Sequence, residues 1–135
     1  MAINAHLGKE IVVTIVNKVG ILAEMSDIIA SHGINIEAVG GYAVANTANV
    51  MLVTNDNLRA IEALRAKGYK SAVENEVVIV DLDNKPGALK NVAKKLAEQD
   101  IDIKHIYGSV CSDACPARLV ISCSNNEKAL ILLKK

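Results

Sequence analysis

The sequence has 135 residues, of which 51% are hydrophobic, and its 15 Lys and Arg balance 15 Asp and Glu; it has three Tyr and no Phe or Trp. That apolar content excludes a disordered chain and supplies a core for one ordinary domain, or for two very small ones that lean on each other. Zero net charge and so few aromatic rings exclude a surface built on phosphate neutralisation or base stacking, and no apolar run nears the roughly 18–20 residues of a membrane span, so neither nucleic acid nor membrane is expected as a partner.

The start, Met1-Ala2-Ile3-Asn4-Ala5-His6, has no basic leader ahead of an apolar segment, which predicts a cytoplasmic protein. Residues 10–16, Glu-Ile-Val-Val-Thr-Ile-Val, are β-branched and too short for a good helix, so they read as the first strand. The period then changes: Ile21, Leu22, Met25, Ile28 and Ile29 recur at helical spacing, with Gly33 at the C-terminal stop. Ile34-Asn35-Ile36 opens a second strand, Asn46-Thr47 marks a turn, and residues 50–53 form a third strand paired as a hairpin. Leu58, Ile61 and Leu64 give a second helix, capped by Asn55 or Asp56 and stopped at Gly68, and residues 69–73 can serve as a fourth strand.

The pattern then repeats. Asn17-Lys18-Val19-Gly20-Ile21-Leu22 returns 67 positions later as Asn84-Lys85-Pro86-Gly87-Ala88-Leu89, and eight of the 25 ungapped positions from residue 17 to 41 are identical to their counterparts, which indicates a duplication. Ala60 falls opposite Ala129, so a two-residue insertion is expected in the second copy between residues 108 and 119, in a loop. In that copy residues 77–80 are the opening strand, and Leu89, Val92, Ala93, Leu96 and Ala97 form the helical stripe. Residues 103–110 and 117–121 are the next strands, and Ser124-Asn125-Asn126-Glu127 reads as a capping box opening a last helix. Only Lys134 and Lys135 follow, so the second copy is expected to lack its own last strand. Residues 69–73 or another chain are the candidates to fill that edge.

The fold class is therefore α+β: two ferredoxin-like βαββαβ units in tandem, 8–73 and 74–135, each an antiparallel sheet with helices on one face. Apolar residues on both faces of the opening strands predict that the second sheet face is covered by the other copy, by a second chain, or by both.

The shared Asn-Lys-x-Gly-x-Leu segment sits where the first strand of each copy meets its first helix. A helix start offers unpaired amides and partial positive charge, Gly permits close approach, and Asn17 or Asn84 adds a side-chain amide, so a carboxylate fits there. The same residues also suit an ordinary capped helix start, with Asn as the cap and Pro86 in the first turn.

The segment resembles the signature of the ACT domain family of amino-acid-binding regulatory modules. Asn84 to Leu89, a helix of about a dozen residues, and Ile101-Asp102-Ile103 match in order and spacing; copy one matches through Asn17 to Leu22 and Gly33-Ile34-Asn35-Ile36. The resemblance covers residues 10–133 and implies a small amino acid effector held at the boundary of two paired domains. It implies Asn17, Val19, Gly20, Ile21 and Leu22 with Asn35 as ligand-binding residues in copy one, and Asn84, Pro86, Gly87, Ala88 and Leu89 with Asp102 in copy two. Asn35 can donate to a carboxylate where Asp102 repels one, and Val19 keeps an N–H that Pro86 lacks, so copy one is the better carboxylate site. Ile15 and Leu82 make an apolar wall, which points to an apolar amino acid.

The resulting expectation is a non-enzymatic, allosteric, homodimeric regulator without a cofactor, acting on a metabolic enzyme in trans. The alternative is a structural ACT scaffold that binds no ligand. His6, His32 and His105 form no cluster. Cys111, Cys115 and Cys123 contain no CxxC pair and read as reduced thiols, not as metal ligands. Glu24 and Asp27 read as a solvated helix face, and His32 as a favourable partner for the end of its helix.

Overall fold

The computed structural model describes residues 2–109 and 115–134. Its elements run β1 (Ala2–Val16), α1 (Ile21–Ser31), β2 (Ile36–Val44), β3 (Thr47–Thr54), α2 (Asn57–Ala66), β4 (Val73–Leu82), α3 (Ala88–Glu98), β5 (Ile103–Ser109), β6 (Ala117–Cys123) and α4 (Asn126–Leu133). The chain forms two compact units: a first of Lys9–Asn75, and a second that joins Met1–Gly8 to Glu76–Lys135.

In the first unit the strand order is β2-β3-β1-β4, and β3 pairs antiparallel with both β1 and β2. Alternation along β1 puts Ile11 and Val13 on the face that carries the helices, opposite Leu52 and Val50 across the ladder. Met25 and Ile29 from α1 and Ala60 and Leu64 from α2 complete that core without exposed surface. Both helices end in the same backbone motif. The N–H of Ile34 reaches the carbonyl of Ile29 and that of Tyr69 reaches Leu64, each tying a buried side chain beneath its helix.

Residues 69–72 therefore do not form a strand. Tyr69 and Ala72 are pulled into the core, and the Ser71 hydroxyl both accepts from the Thr14 N–H (2.9 Å) and donates to the Thr14 carbonyl (2.7 Å), standing in for a ladder partner. The fourth strand of this unit is the opening of β4, Val73 to Asn75. The hairpin turn is Ala45-Asn46, one residue earlier than expected, and Ala45 takes φ 52°.

Glu24 is not merely solvated: the buried Tyr69 hydroxyl donates to its carboxylate at 2.5 Å. Burial first, and the neighbouring carboxylate second, push the phenol up from 10.0 to about 12. A folded value above the unfolded one means that the stabilisation is whole below about pH 10 and is lost as pH rises through about 12. Tyrosinate absorbance should accordingly show a titration centred near 12 that Tyr69→Phe removes.

The second unit has the order β1-β4-β6-β5, and residues 2–8 of β1 occupy the edge of β4 that the repeat pattern leaves open. Ala5 is buried in its core with Val78, Val80, Leu96 and Ile121. Gly8 has a spatial role: a Cβ there would lie 2.6 Å from Ile79 Cδ1. Gly41 faces Val50 in the first unit and Gly108 faces Leu119 here, so the offset grows from 67 to 69 within the hairpin, as the repeat alignment predicts.

A clamp recurs in both units, its Asn and N–H partner at the offset of 69 and its carbonyl partner at 67. Asn57 accepts from the Thr54 N–H and donates to the Lys9 carbonyl; Asn126 accepts from the Cys123 N–H and donates to the Glu76 carbonyl. The cap of α4 is Asn125, which accepts from the Lys128 N–H at 3.0 Å, not Ser124; the Ser124 hydroxyl instead accepts from the Asp102 N–H. Across β4 and β6, Arg118 binds Asp81 at 2.8 Å and holds its carboxyl below the ordinary 3.8, a stabilisation present above that value and lost as pH falls through the lowered one.

Candidate functional site

The turn from β1 into α1 is built by Gly20, which caps the helix with φ 94° and ψ 0°. An L side chain reaches that region at a cost of roughly 1–2 kcal/mol, whereas an added Cβ would meet nothing within 4 Å, so conformation rather than space requires glycine here. A glycine cap has no side chain to accept from the first turn, and no side-chain cap bond is made there. The first backbone bond of α1 runs from the Glu24 N–H to the Gly20 carbonyl, which leaves the preceding amides pointing out with the partial positive charge of the helix start. Asn17 does not cap the helix. Its backbone N–H donates to the Asn46 carbonyl at 2.6 Å, fastening the loop to the hairpin turn, and its side chain is exposed.

Beside this turn lies a cleft of about 450 Å³, lined by Asn17, Lys18 and Gly20 to Leu22, by Val39 to Ala43 of the edge strand β2, and by Ala48 to Val50 of β3. That size falls in the range of about 300–1,000 Å³ typical of small-molecule sites. Ala48 and Val50 form the buried floor, and Leu22 and Val39 are each half exposed beside it. Gly41 keeps the floor low, since a Cβ there would stand 3.2 Å from the Asn49 carbonyl oxygen. The Asn49 side chain, between Ala48 and Val50 in β3, turns to the other face of the sheet, where its oxygen accepts from the Thr14 hydroxyl at 3.0 Å. Lys18 is the charged residue among the described lining residues.

Of the residues expected in copy one, the structure brings Asn17, Gly20, Ile21 and Leu22 onto this cleft; Val19 is fully exposed and does not line it. Asn35 stands at the other end of α1, about 16 Å away for an 11-residue helix, where its N–H donates to the Asn55 side chain and its carbonyl accepts from the Asn55 N–H. Ile15 packs on the core and Leu82 is buried, so the apolar wall comes instead from Leu22 and Val39. The β2 and β3 residues are absent from the sequence-based expectation. Their signal was Gly40-Gly41 inside a strand, a pattern that marks close approach of backbone.

In the second unit Gly87 repeats the glycine cap, with φ 89°. Its surroundings differ. Asp83 stands where copy one has Val16, 3.5 Å from the Lys85 ammonium, and the Lys85 carbonyl accepts the Ala88 N–H at 3.3 Å, so one amide of the turn is already used. Asn84, Pro86 and Leu89 are exposed, Ala88 is buried, and Asp102 sits at the far end of α3, its N–H and carbonyl both engaged by Ser124.

The remaining polar groups make no catalytic cluster among the described residues. His32 Nδ1 lies 2.8 Å from the Ile28 carbonyl at the end of α1, and His105 stacks on Tyr107 with centroids 6.2 Å apart. Cys123 is a free, buried thiol whose pKa is raised, by burial first and then by Asp102; Cys115 stands in a disulfide, which departs from the reading of three reduced thiols; Cys111 lies outside the described residues. Among the described residues no group of three or more His, Cys, Asp or Glu could hold a metal ion, and no helix is long and apolar enough to cross a membrane.

The chain is similar to solved structures over nearly its whole length. Protein BT0572 from Bacteroides thetaiotaomicron is 26% identical with a TM-score of 0.78, over 96% of this chain and 88% of that one. The ligand-free regulatory subunit of aspartate kinase from Thermus thermophilus is 16% identical with a TM-score of 0.69, over 98% of this chain and 96% of that one, a likeness of fold. The corresponding subunit from Thermus flavus is 16% identical with a TM-score of 0.60, over the same 98% and 96%. No curated protein matches the chain. A family model described as an ACT domain pair matches residues 7–135, and the chain belongs to that family.

Proposed function

We propose that the chain is a non-enzymatic regulatory module that binds a small apolar amino acid in the cleft of the first unit and conveys its presence to a metabolic enzyme in trans, in the cytoplasm. The observation that carries this reading is the meeting, in one cleft, of an uncapped helix start, the Asn17 amide and the apolar surface of Leu22 and Val39. The α-carboxylate lies on the α1 amides and Asn17, and the aliphatic side chain lies on Leu22, Val39 and the Ala48 floor. Likeness in fold to a regulatory subunit matched over nearly all of its length supports the same kind of role for this chain.

Beyond the cleft, β2 is an edge strand with exposed Val39, Tyr42 and Val44. A second copy pairing there closes the open side, and exposed Val19 faces that partner. Asn35, at the far end of α1, meets a ligand only when the partner carries it to the cleft of the first copy. A ligand that prefers the paired state stabilises it by the free energy of that preference, which is the signal an enzyme can sense. In the second unit Asn84, Pro86, Gly87, Ala88, Leu89 and Asp102 make the weaker counterpart, because Asp83 repels a carboxylate.

Calorimetric titration with each of the twenty amino acids tests the reading. One or more aliphatic amino acids should bind with about one site per chain; no heat from any of them at millimolar concentration overturns it, and a chain that dimerises without binding any of them is a scaffold.

A further inference from the structure

We infer that two copies of the chain pair their β2 strands about a two-fold axis at Gly40, which brings the partner's Val39 over the open side of the first-unit cleft and the partner's Glu37 to Lys18; this rests on the reading that copies pair at β2. Backbone parity decides which groups are free to pair. The Asn17 N–H donates to the Asn46 carbonyl in continuation of the β1–β3 register, so Ile15, Val13 and Ile11 exchange their bonds with Ala48, Val50 and Leu52. Thr47, Asn49 and Met51 therefore bond to β2, at Val44, Tyr42 and Gly40. The N–H and carbonyl groups of Val39, Gly41 and Ala43 are left on the outer edge.

That edge is unprotected. From Ala38 to Val44 it has no charged residue and no proline, the usual blocks to edge pairing, and Val39, Tyr42 and Val44 are exposed. A second copy fits it because the strand is complementary to itself. β2 runs Ile36–Val44 with Gly40 at its centre, so an antiparallel copy paired about Gly40 overlaps it from end to end. Val39 then stands opposite the partner's Gly41, each giving its free N–H and carbonyl to the other, and Tyr42 stands opposite the partner's Ala38. Large meets small in both pairs. Val39 and Gly41 are on the core-facing side of β2, across from Leu52 and Val50, so the partner's Val39 lies against Gly41 at the cleft. Beside the bulge between Ile36 and Ala38, Glu37 comes to the partner's Ala43, which lines the cleft together with Lys18. Lys18 and Glu37 are exposed and neither has an ion-pair partner among the described residues, so the contact joins opposite charges, and symmetry repeats it.

Sedimentation equilibrium of the full chain tests this, with circular dichroism to verify the fold of each variant. The parent should dimerise. Ala43→Pro removes an outward N–H that β3 does not use, and should give a folded monomer. Lys18→Glu or Glu37→Lys alone sets like charges together at both symmetric contacts and should weaken the dimer about 10-fold, whereas the double variant should return to within about 3-fold of the parent. A parent that stays monomeric at millimolar concentration overturns the pairing itself. A dimer indifferent to Ala43→Pro overturns the choice of edge. A dimer that Ala43→Pro splits, but in which the single charge variants bind as the parent does or the double variant is not restored, overturns the register about Gly40 while leaving the pairing at β2 intact.

Discussion

Replacing Ala5 by Asp should unfold the second unit. Ala5 is 3% exposed and sits in a core with Val78, Val80, Leu96 and Ile121, on the β1 segment that completes the sheet at β4. An aspartate there buries an unpaired charge, at a cost of several kcal/mol, against a total stability that for a small domain is only about 5–15 kcal/mol. The alternative of swinging residues 2–8 away is equally expensive, because it bares the edge of β4 and the core beneath it. Hydrogen exchange should show loss of protection in residues 78–82 and 117–121, the paired segments of β4 and β6. Retained protection there in the variant would mean that the N-terminal segment does not hold this unit together.

Changing Leu22 to Asp should abolish ligand binding while sparing the fold. Leu22 is half exposed, lines the cleft, and is the second residue of α1 after the Gly20 cap. A carboxylate in the first turn gains about 0.3–1 kcal/mol from the helix dipole, which offsets most of the modest apolar burial that a half-exposed leucine provides, so stability should move by less than about 1 kcal/mol. The same carboxylate stands about 5 Å from the place of the ligand's own, and at an effective dielectric of about 20 the repulsion is about 3 kcal/mol, a loss of about 100-fold in affinity. Leu22→Asn isolates the charge: it removes the same apolar surface and should lose far less binding. Equal losses in the two variants would show that the ligand carries no negative charge at this point.

The duplication made much of the architecture legible. Helical spacing in Ile21, Met25 and Ile29 and alternation in Ile11 and Val13 follow directly from which face is buried, and those residues form the core of the first unit. What failed was anything decided across the chain. In residues 2–8 Ile3, Ala5 and Leu7 alternate with Asn4 and His6, a period too short to stand out, and the run ends in Gly8, which resembles a strand terminator. That glycine is set by Ile79 lying over it, a neighbour 71 positions away that no local pattern announces. Tyr69 has the local character of a strand residue because aromatic and β-branched side chains favour that state, and the backbone bond to Leu64 and the hydroxyl bond to Glu24 override that preference.

The cleft divides in the same way. Its helix side, Asn17 to Leu22, is visible as a repeated motif, because a left-handed glycine cap demands glycine in both copies. Its strand side depends on the register that sets Gly41 against Val50 and Val39 against Leu52, which becomes known only when the hairpin is folded. Asn35 shows the limit of reading nearness from sequence order: it follows α1 directly yet lies at the opposite end of that helix from Gly20.

Backbone amide chemical shifts, followed by NMR while a branched aliphatic carboxylate is titrated into the full chain, test the central claim most directly. Perturbations should concentrate at Gly20 to Leu22 and at Val39 to Ala43, with little change at Gly87 to Leu89. Perturbations centred on Gly87 to Leu89, or none at either place at millimolar ligand, would contradict a carboxylate site in the first unit.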